Sequence, residues 1–382
     1  MNEKEFLMKF SIVRERLIQS LNDSLRAVSS KSPMPILTTL KLELRNKGLK
    51  ITGSNSDISI ESFIPAEEAG DEIIEVDIVG AICLNARLLS EIVRKLPKDT
   101  VEIEVVNNFQ TVIKSGKSEF KINGIDADEY PRLPDIEQNN SHEFASDLLK
   151  NLIRQTGYAV SQSENRPILT GVHWQLNDNE LFCAATDSHR LSRKKISFTS
   201  NEVIDVVIPG KSLDELSKII GDHVEQVEVC FTTNHVLFKF KNILFYSRLL
   251  EGNYPDVNRL IPPDETTIVK LNRKDLLQAI DRASILAKET KSNTVKMVSN
   301  GDFIEISSNT PEVGDVVEEV AIGQMTGEDV KISFNGRFMI EALRTLDEED
   351  VMIRFTGPMR PFVLTSEDDE TFVQLILPVR TV

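Results

Sequence analysis

Apolar positions along this chain keep two different rhythms. Spacing of three and four residues over "SIVRERLIQSLNDSLRAV" from Ser11 predicts a helix. So does the spacing in "ASDLLKNLIRQTGYAV" from Ala145 and in "NRKDLLQAIDRASILAKE" from Asn272. Three further helices are predicted at "LNARLLSEIVRKL", "IPGKSLDELSKII" and "FNGRFMIEALRTL". Every-second-residue alternation then predicts strands in "VEIEVV", "VEVCF" and "VMIRF", one after each member of this second set.

These predicted elements recur. Within the second helix set Arg87, Lys211 and Arg337 occupy one position, with Glu91, Glu215 and Glu341 four residues on. "PILTTLKLEL" at Pro35 returns as "PILTGVHWQL" at Pro167. "EYPRLP" with Tyr130 returns as "NYPDVNRLIP" with Tyr254. A period of about 125 residues is too long for a solenoid and fits three similar domains, each reading helix, strands, helix, strands. Polar and proline-bearing stretches at residues 131–142 and 251–266 serve as linkers. The expected division is 1–134, 135–258 and 259–382, with residues 1–7 as an extension of little consequence.

Composition narrows the class. Net charge is −16 over 382 residues, at first sight unsuited to a nucleic-acid ligand. The charge is unevenly spread, however. The six predicted helices (11–28, 86–96, 144–157, 210–220, 272–288 and 336–346) carry +7 together, leaving −23 on strands and loops. Should the helices share one surface, that surface is mildly basic and suits sequence-independent attraction to phosphates. Cys83, Cys183 and Cys230 are scattered and form no CxxC pair, which predicts free thiols rather than a disulfide framework or zinc site. No run approaches a membrane span, and the charged start does not read as a signal peptide, so a cytoplasmic location is expected.

"CAATDSHRLSR" holds Asp187, Ser188 and His189 side by side, the residue types of a serine hydrolase triad. Consecutive side chains point apart, and no G-x-S-x-G elbow is present. The segment therefore reads as a strand end and turn presenting His189, Arg190 and Leu191 at a pocket rim. Acid clusters at "DADE" (Asp126 to Glu129) and "LDEED" (Leu346 to Asp350) read as solvated loops rather than magnesium ligands, and no cofactor or metal is expected. A hydrolase and a repeat scaffold without a DNA role stay as alternatives.

Taken together, the threefold repeat, "TDSHRL", "YPDVNRLIP" and the "LILPVR" tail resemble the bacterial DNA polymerase III beta subunits, the sliding clamps, from Met8 onward. The resemblance implies an α+β fold: three domains of one type, two helices on antiparallel sheets each, and a six-domain ring as a homodimer. It implies topological, sequence-independent encirclement of duplex DNA, and a tether for the replicative polymerase alpha subunit, the clamp loader and other clamp-motif proteins. It implies a processivity role in replication without catalysis; no residues here suit nucleotidyl transfer. By matched motif it implies a partner-peptide pocket of Leu169, Thr186, Ser188, His189, Arg190, Leu191, Pro255, Leu260, Pro361, Leu377, Pro378, Val379 and Arg380. Lys31 matches a DNA-touching loop position, and Ile285 and Leu286 match an interface pair. With the ring, Arg87, Lys150, Arg154, Lys211, Arg282 and Arg337 are expected to face DNA. Many relatives have Gly at Ser188 and Met at Leu377 and Val379, and the chain continues to Thr381 and Val382, so a somewhat different pocket shape is expected.

Overall fold

The computed structural model describes residues 6–380 apart from 30, 135, 137–140, 178, 201, 290, 291 and 368; Thr381, Val382 and residues 1–5 of the expected extension lie outside the described residues. Six α-helices are present among the described residues: α1 (Arg14–Leu25), α2 (Ala86–Lys95), α3 (Ser146–Gly157), α4 (Gly210–Ile219), α5 (Arg273–Ala287) and α6 (Gly336–Leu343). Each is preceded directly by a strand and followed by three more, so every repeat is two strand–helix–three-strand halves. The first repeat carries extra short strands at Glu67–Glu68, Asp71–Glu72 and Ile74–Ile78.

The strand ahead of each first helix differs from the expected order. In Phe6–Val13 the side chains of Met8, Phe10 and Ile12 alternate into the core. The period-two signal was present in "FLMKFSIV", but the helical pattern that starts at Ser11 masks it. Phe6 pairs with Val106, so Phe6 and Leu7 belong to the sheet and are not a dispensable extension. Helix starts follow local chemistry. Asn85, Asn272 and Asn335 accept from backbone N–H groups at α2, α5 and α6, with Asn85 Oδ1 3.0 Å from the Leu88 nitrogen. Each such cap is worth about 1 kcal/mol.

Two compact units result: residues 1–147 with 215–249, and residues 148–214 with 250–382. In the first, an eight-stranded antiparallel sheet joins the first two repeats through Ile58–Pro65 and Ile243–Arg248, in register from Ser62↔Ile243 to Ile58↔Ser247. A five-stranded sheet completes that unit, and one core cluster runs from Met8 to Ile113. In the second, a twelve-stranded sheet joins the second and third repeats where Arg190–Ser197 pairs with Phe372–Ile376. The expected segment 135–258 is therefore shared between both units, because its two sheets are continuous with different neighbours. Within the second unit, α5 and α6 pack closely. A Cβ on Gly336 would lie 2.4 Å from Ser284 Oγ and 2.8 Å from Val295 Cγ2, so a larger residue there would have to push those side chains aside.

Candidate functional site

The segment Thr186–Leu191 is a built turn. Asp187 Oδ1 accepts from the backbone nitrogens of His189 (2.9 Å) and Arg190 (3.0 Å), and its Oδ2 accepts from Arg190 Nε at 3.0 Å. Thr186 Oγ1 donates to the Arg190 carbonyl at 2.6 Å and accepts the Ser188 N–H at 3.1 Å. Tyr254 Oη accepts the Thr186 N–H at 3.0 Å, tying the turn to the "NYPDVNRLIP" segment. Ser188 sits at φ 76°, in the left-handed region that glycine adopts without cost. This carboxylate holds backbone and guanidinium rather than the His189 ring, so Asp187, Ser188 and His189 do not form a charge-relay geometry.

Arg190 and Leu191 depart from the expected rim position. Leu191 is core. Arg190 is only 5% exposed, inserted between the rings of Tyr158 and Phe338 with its guanidinium carbon 5.2 and 4.5 Å from their centroids. Its Nη2 donates to the Tyr158 carbonyl at 2.6 Å, and its Nη1 pairs with Glu341. Burial pushes the Glu341 carboxyl up, but bonds from Arg337 and Arg190 outweigh this and hold it below the usual carboxylate range. Burial keeps the Tyr158 phenol raised well above its ordinary value. The physical reason for the inward turn is that Asp187 and Glu341 offer carboxylates on two sides of a guanidinium fork. Of the turn residues, Ser188 and His189 are the ones that reach solvent.

Strand register brings the tail to this turn. Arg190 pairs with Ile376 and Leu191 with Leu375, and the Leu377 N–H donates to the His189 carbonyl at 2.9 Å. Phe362 pairs with Ile376, which sets Pro361 one residue from the same row. Leu377 packs with Tyr254 and Ile261 against Leu191, Val257, Val363 and Leu375. Leu169 is buried at the end of a 3-10 turn, Pro167–Thr170, that leads into the strand beside Glu180–Thr186. Pro255 lines a cavity of about 190 Å³ with His173 and Tyr254, whose rings stack 4.9 Å apart. Leu260, 48% exposed, ends the adjoining 3-10 turn Val257–Leu260. Pro378 and Val379 are half-buried, Arg380 is exposed, and the Val379 N–H donates to the Ser333 carbonyl at 2.7 Å.

The cations expected to face DNA divide into two groups. Arg154 donates to Asp347 (2.6 Å) and the Thr345 carbonyl (3.0 Å). Arg282 bonds Glu318 through two nitrogens at 2.8 and 2.7 Å, and Arg337 bonds Glu341 at 2.7 Å. Lys31, Arg87 and Lys211 are exposed and form no ion pair among the described residues, and Lys150 is half-buried. Two other counted arginines serve helix ends. Arg14 at the start of α1 donates to the Leu96 carbonyl beyond α2 at 2.9 Å, and Arg273 at the start of α5 to the Leu343 carbonyl at the end of α6 at 3.4 Å. Such contacts satisfy orphan carbonyls and suit the helix dipole, and no spacing rule in the sequence distinguishes these arginines from solvated ones. Ile285 is 64% exposed on α5, whereas Leu286 is half-buried.

Sequence reasoning missed Tyr158, Phe338 and Glu341 as partners of the turn. Asp187 alone carried a local signal, since an Asx turn at i to i+2 and i+3 is legible in "TDSHR". The acid clusters are structural: Asp126 caps the turn Ala127–Glu129 (Oδ1 to the Asp128 nitrogen, 2.9 Å), Asp347 pairs with Arg154, and Asp350 with Lys270 at 3.4 Å. Among the described residues no helix is long and apolar enough to cross a membrane.

Family models for the DNA polymerase III beta subunit match along the chain: the N-terminal domain over residues 8–134, the central domain over 143–256 and the C-terminal domain over 258–380. The Bacillus subtilis beta sliding clamp is 54% identical over 377 residues, covering 98% of this chain and all of that protein. The Staphylococcus aureus beta sliding clamp is 43% identical over 98% of this chain and all of its own length. A crystal structure of the DNA polymerase sliding clamp from Bacillus subtilis superposes with a TM-score of 0.96 over 98% of this chain and 100% of that one. The DNA polymerase III beta chain from Streptococcus pneumoniae, 43% identical with the same coverage, gives 0.95. Three repeats, each of two strand–helix–three-strand halves, matched end to end by the three domains of a single family, place the chain among the DNA polymerase III beta subunits, the sliding clamps of bacterial DNA replication.

Proposed function

We propose that two copies of this chain close head to tail into a ring that encircles duplex DNA and tethers the replicative polymerase. The observation that carries the mechanism is the continuity of the sheets across repeats. Within one compact unit backbone hydrogen bonds join the second repeat to the first through Ile243–Arg248, and within the other they join it to the third through Arg190–Ser197, so each junction between repeats is a continuous sheet of the kind a closed ring needs. Domains of 1–134, 135–258 and 259–382 are the units of that ring. A closed ring needs no tight grip. A chain of −16 charge, with several helix arginines spent on ion pairs, suits a protein that slides on DNA by weak attraction and topological linkage.

In this reading the exposed Lys31, Arg87 and Lys211 supply most of the attraction, together with Lys150 and the ion-paired Arg154, Arg282 and Arg337. Ile285 and Leu286 lie at the junction between copies. The row formed by the Thr186–Leu191 turn, Leu169, Pro255, Leu260, Pro361 and the Leu377–Arg380 tail receives a short apolar motif of the polymerase, the clamp loader and other partners. An apolar cluster beside a few fixed polar groups has the character of a peptide groove. The role is non-catalytic, requires no cofactor, and belongs to the cytoplasm.

Retention on nicked circular DNA, loaded with a clamp loader and ATP, tests this before and after the circle is linearised. Protein held by the circle and lost from the linear form is topologically linked. Equal retention on both would replace the ring by ordinary contact binding.

A further inference from the structure

A second cavity, of about 210 Å³, adjoins the apolar cluster of the proposed groove and shares Ile261, Val363 and Val373 with it. Cross-strand register puts its floor on one sheet face. Arg193 lies opposite Val373, Val363 opposite both Leu375 and Arg354, and Thr365 two residues beyond Val363. Arg193 and Arg354 thus stand at two sides of an apolar strip that continues the Leu191–Leu375–Leu377 row.

Three polar atoms here lack partners. Arg193 Nε, Arg354 Nε and Thr365 Oγ1 are shielded from solvent and make no hydrogen bond among the described residues. Arg193 spends one nitrogen on Asn258 Oδ1 at 3.1 Å. Arg354 has only a loose ion pair to Glu370 among the described residues, 3.9 Å away, with that carboxylate largely in solvent. Burial depresses the Arg193 guanidinium below its ordinary value, with Glu180 opposing. Buried donors are almost always satisfied, so three orphans in one cavity mark a place where an acceptor is missing. A guanidinium fork fits a carboxylate, and a hydroxyl adds a further donor.

The rim decides which carboxylate. Asp264, Glu265 and Glu370 also line the cavity and set three negative charges against the two arginines. A small free anion is repelled by that rim. A carboxylate delivered by a chain already anchored in the neighbouring apolar cluster arrives at high effective concentration and tolerates it. We propose that Arg193, Arg354 and Thr365 extend the partner groove into a carboxylate-reading subsite, which takes an acidic side chain or a terminal carboxylate flanking the apolar anchors of a bound peptide. This rests on the peptide-groove reading above.

A random-peptide phage library selected on the full-length protein supplies the probe, and fluorescence anisotropy measures the best peptide as free acid, with its acidic side chains as amides, and with an amidated C-terminus. One of the two amide forms should bind the unaltered protein about tenfold more weakly, which identifies the carboxylate. The doubly substituted protein, Arg193→Ala with Arg354→Ala, should lose the same factor for the free acid and none for that amide. Equal affinity of all three forms overturns the subsite, and since that comparison uses the unaltered protein it stands even where the variant fails to fold. Truncation after Ile376 separates the two ideas. Binding that survives truncation, or a library that enriches no peptide, removes the groove itself. Binding lost on truncation but indifferent to peptide charge removes the subsite alone.

Discussion

Replacing Arg190 with alanine should destabilise the second compact unit by about 3–5 kcal/mol, the range for removing one partner from a buried ion pair. The structure supports the upper part of that range. Arg190 is 5% exposed and meets Asp187 at 3.0 Å, Glu341, and the Tyr158 carbonyl at 2.6 Å. Alanine takes the guanidinium from two half-shielded carboxylates, leaving Glu341 only Arg337 and Asp187 only backbone N–H groups, takes the donor from the Tyr158 carbonyl, and empties the space beside Tyr158 and Phe338. Trp174, the single tryptophan, is buried in the same unit and reports its unfolding by fluorescence. With a urea dependence of about 3 kcal/mol/M, the midpoint should fall by roughly 1.3–1.7 M. Glu341→Gln should cost less, because Asp187 still holds the guanidinium. Arg190→Met combined with Glu341→Gln should cost less than the two single changes added together, since each removes the other's unpaired charge. The pH dependence has a definite sign. Glu341 has a depressed folded pKa, so the stability it contributes is present above its unfolded value of about 4.5 and is lost as pH falls through the lower folded value. The Arg190→Ala deficit should therefore stay constant between pH 8 and about 6. A midpoint unchanged by Arg190→Ala would show a solvated guanidinium, free to meet a partner at the rim, and the inward-facing network would be refuted.

Deleting Leu377 to Val382 should abolish binding of the selected peptide while costing the fold only about 1–2 kcal/mol, since Leu377 is half-buried and two backbone bonds are lost; anisotropy and urea midpoints check both, and retained affinity would move the groove elsewhere. Burial raises the Asp23 pKa to about 6, opposed by Arg26. Its ionisation thus opposes folding, by an amount that grows as pH rises from its unfolded value to about 6 and is constant above. Asp23→Asn should then raise the melting temperature at pH 8 more than at pH 5, by an amount equivalent to about 1 kcal/mol after discounting for partial solvent access, and equal shifts at both pH values would contradict a buried Asp23. Ile285→Asp should shift sedimentation from dimer toward monomer without altering the melting of the isolated subunit, because Ile285 is 64% exposed and its loss empties no core; an undiminished dimer at low concentration would place the junction elsewhere.

The boundary between what was legible and what was not is physical. Helix positions came from spacing and asparagine caps, both local properties, so α2, α5 and α6 were readable to within a few residues. The strand Phe6–Val13 was equally local in its alternation, but it abuts α1, and two overlapping periods within a few residues cannot be separated by spacing. The threefold repeat and the family motifs were likewise in the order of residues.

Side-chain partnership across the fold was not. Whether Arg190 points outward or inward depends on Glu341, 151 residues away, and on the Tyr158 carbonyl. Whether a helix arginine is available to phosphate depends on an acid or carbonyl brought beside it by another element, as with Arg282 and Glu318 or Arg14 and Leu96. Exposed Arg87 and engaged Arg337 occupy the same position in their repeats and look alike in sequence. By itself the sequence determined the repeat, the helices, the apolar rhythm of the strands and the family. Only the tertiary structure decided which repeats share a sheet, which charges cancel, and which donors around Arg193 and Arg354 remain unspent, because those outcomes are set by contacts between residues that no local pattern relates.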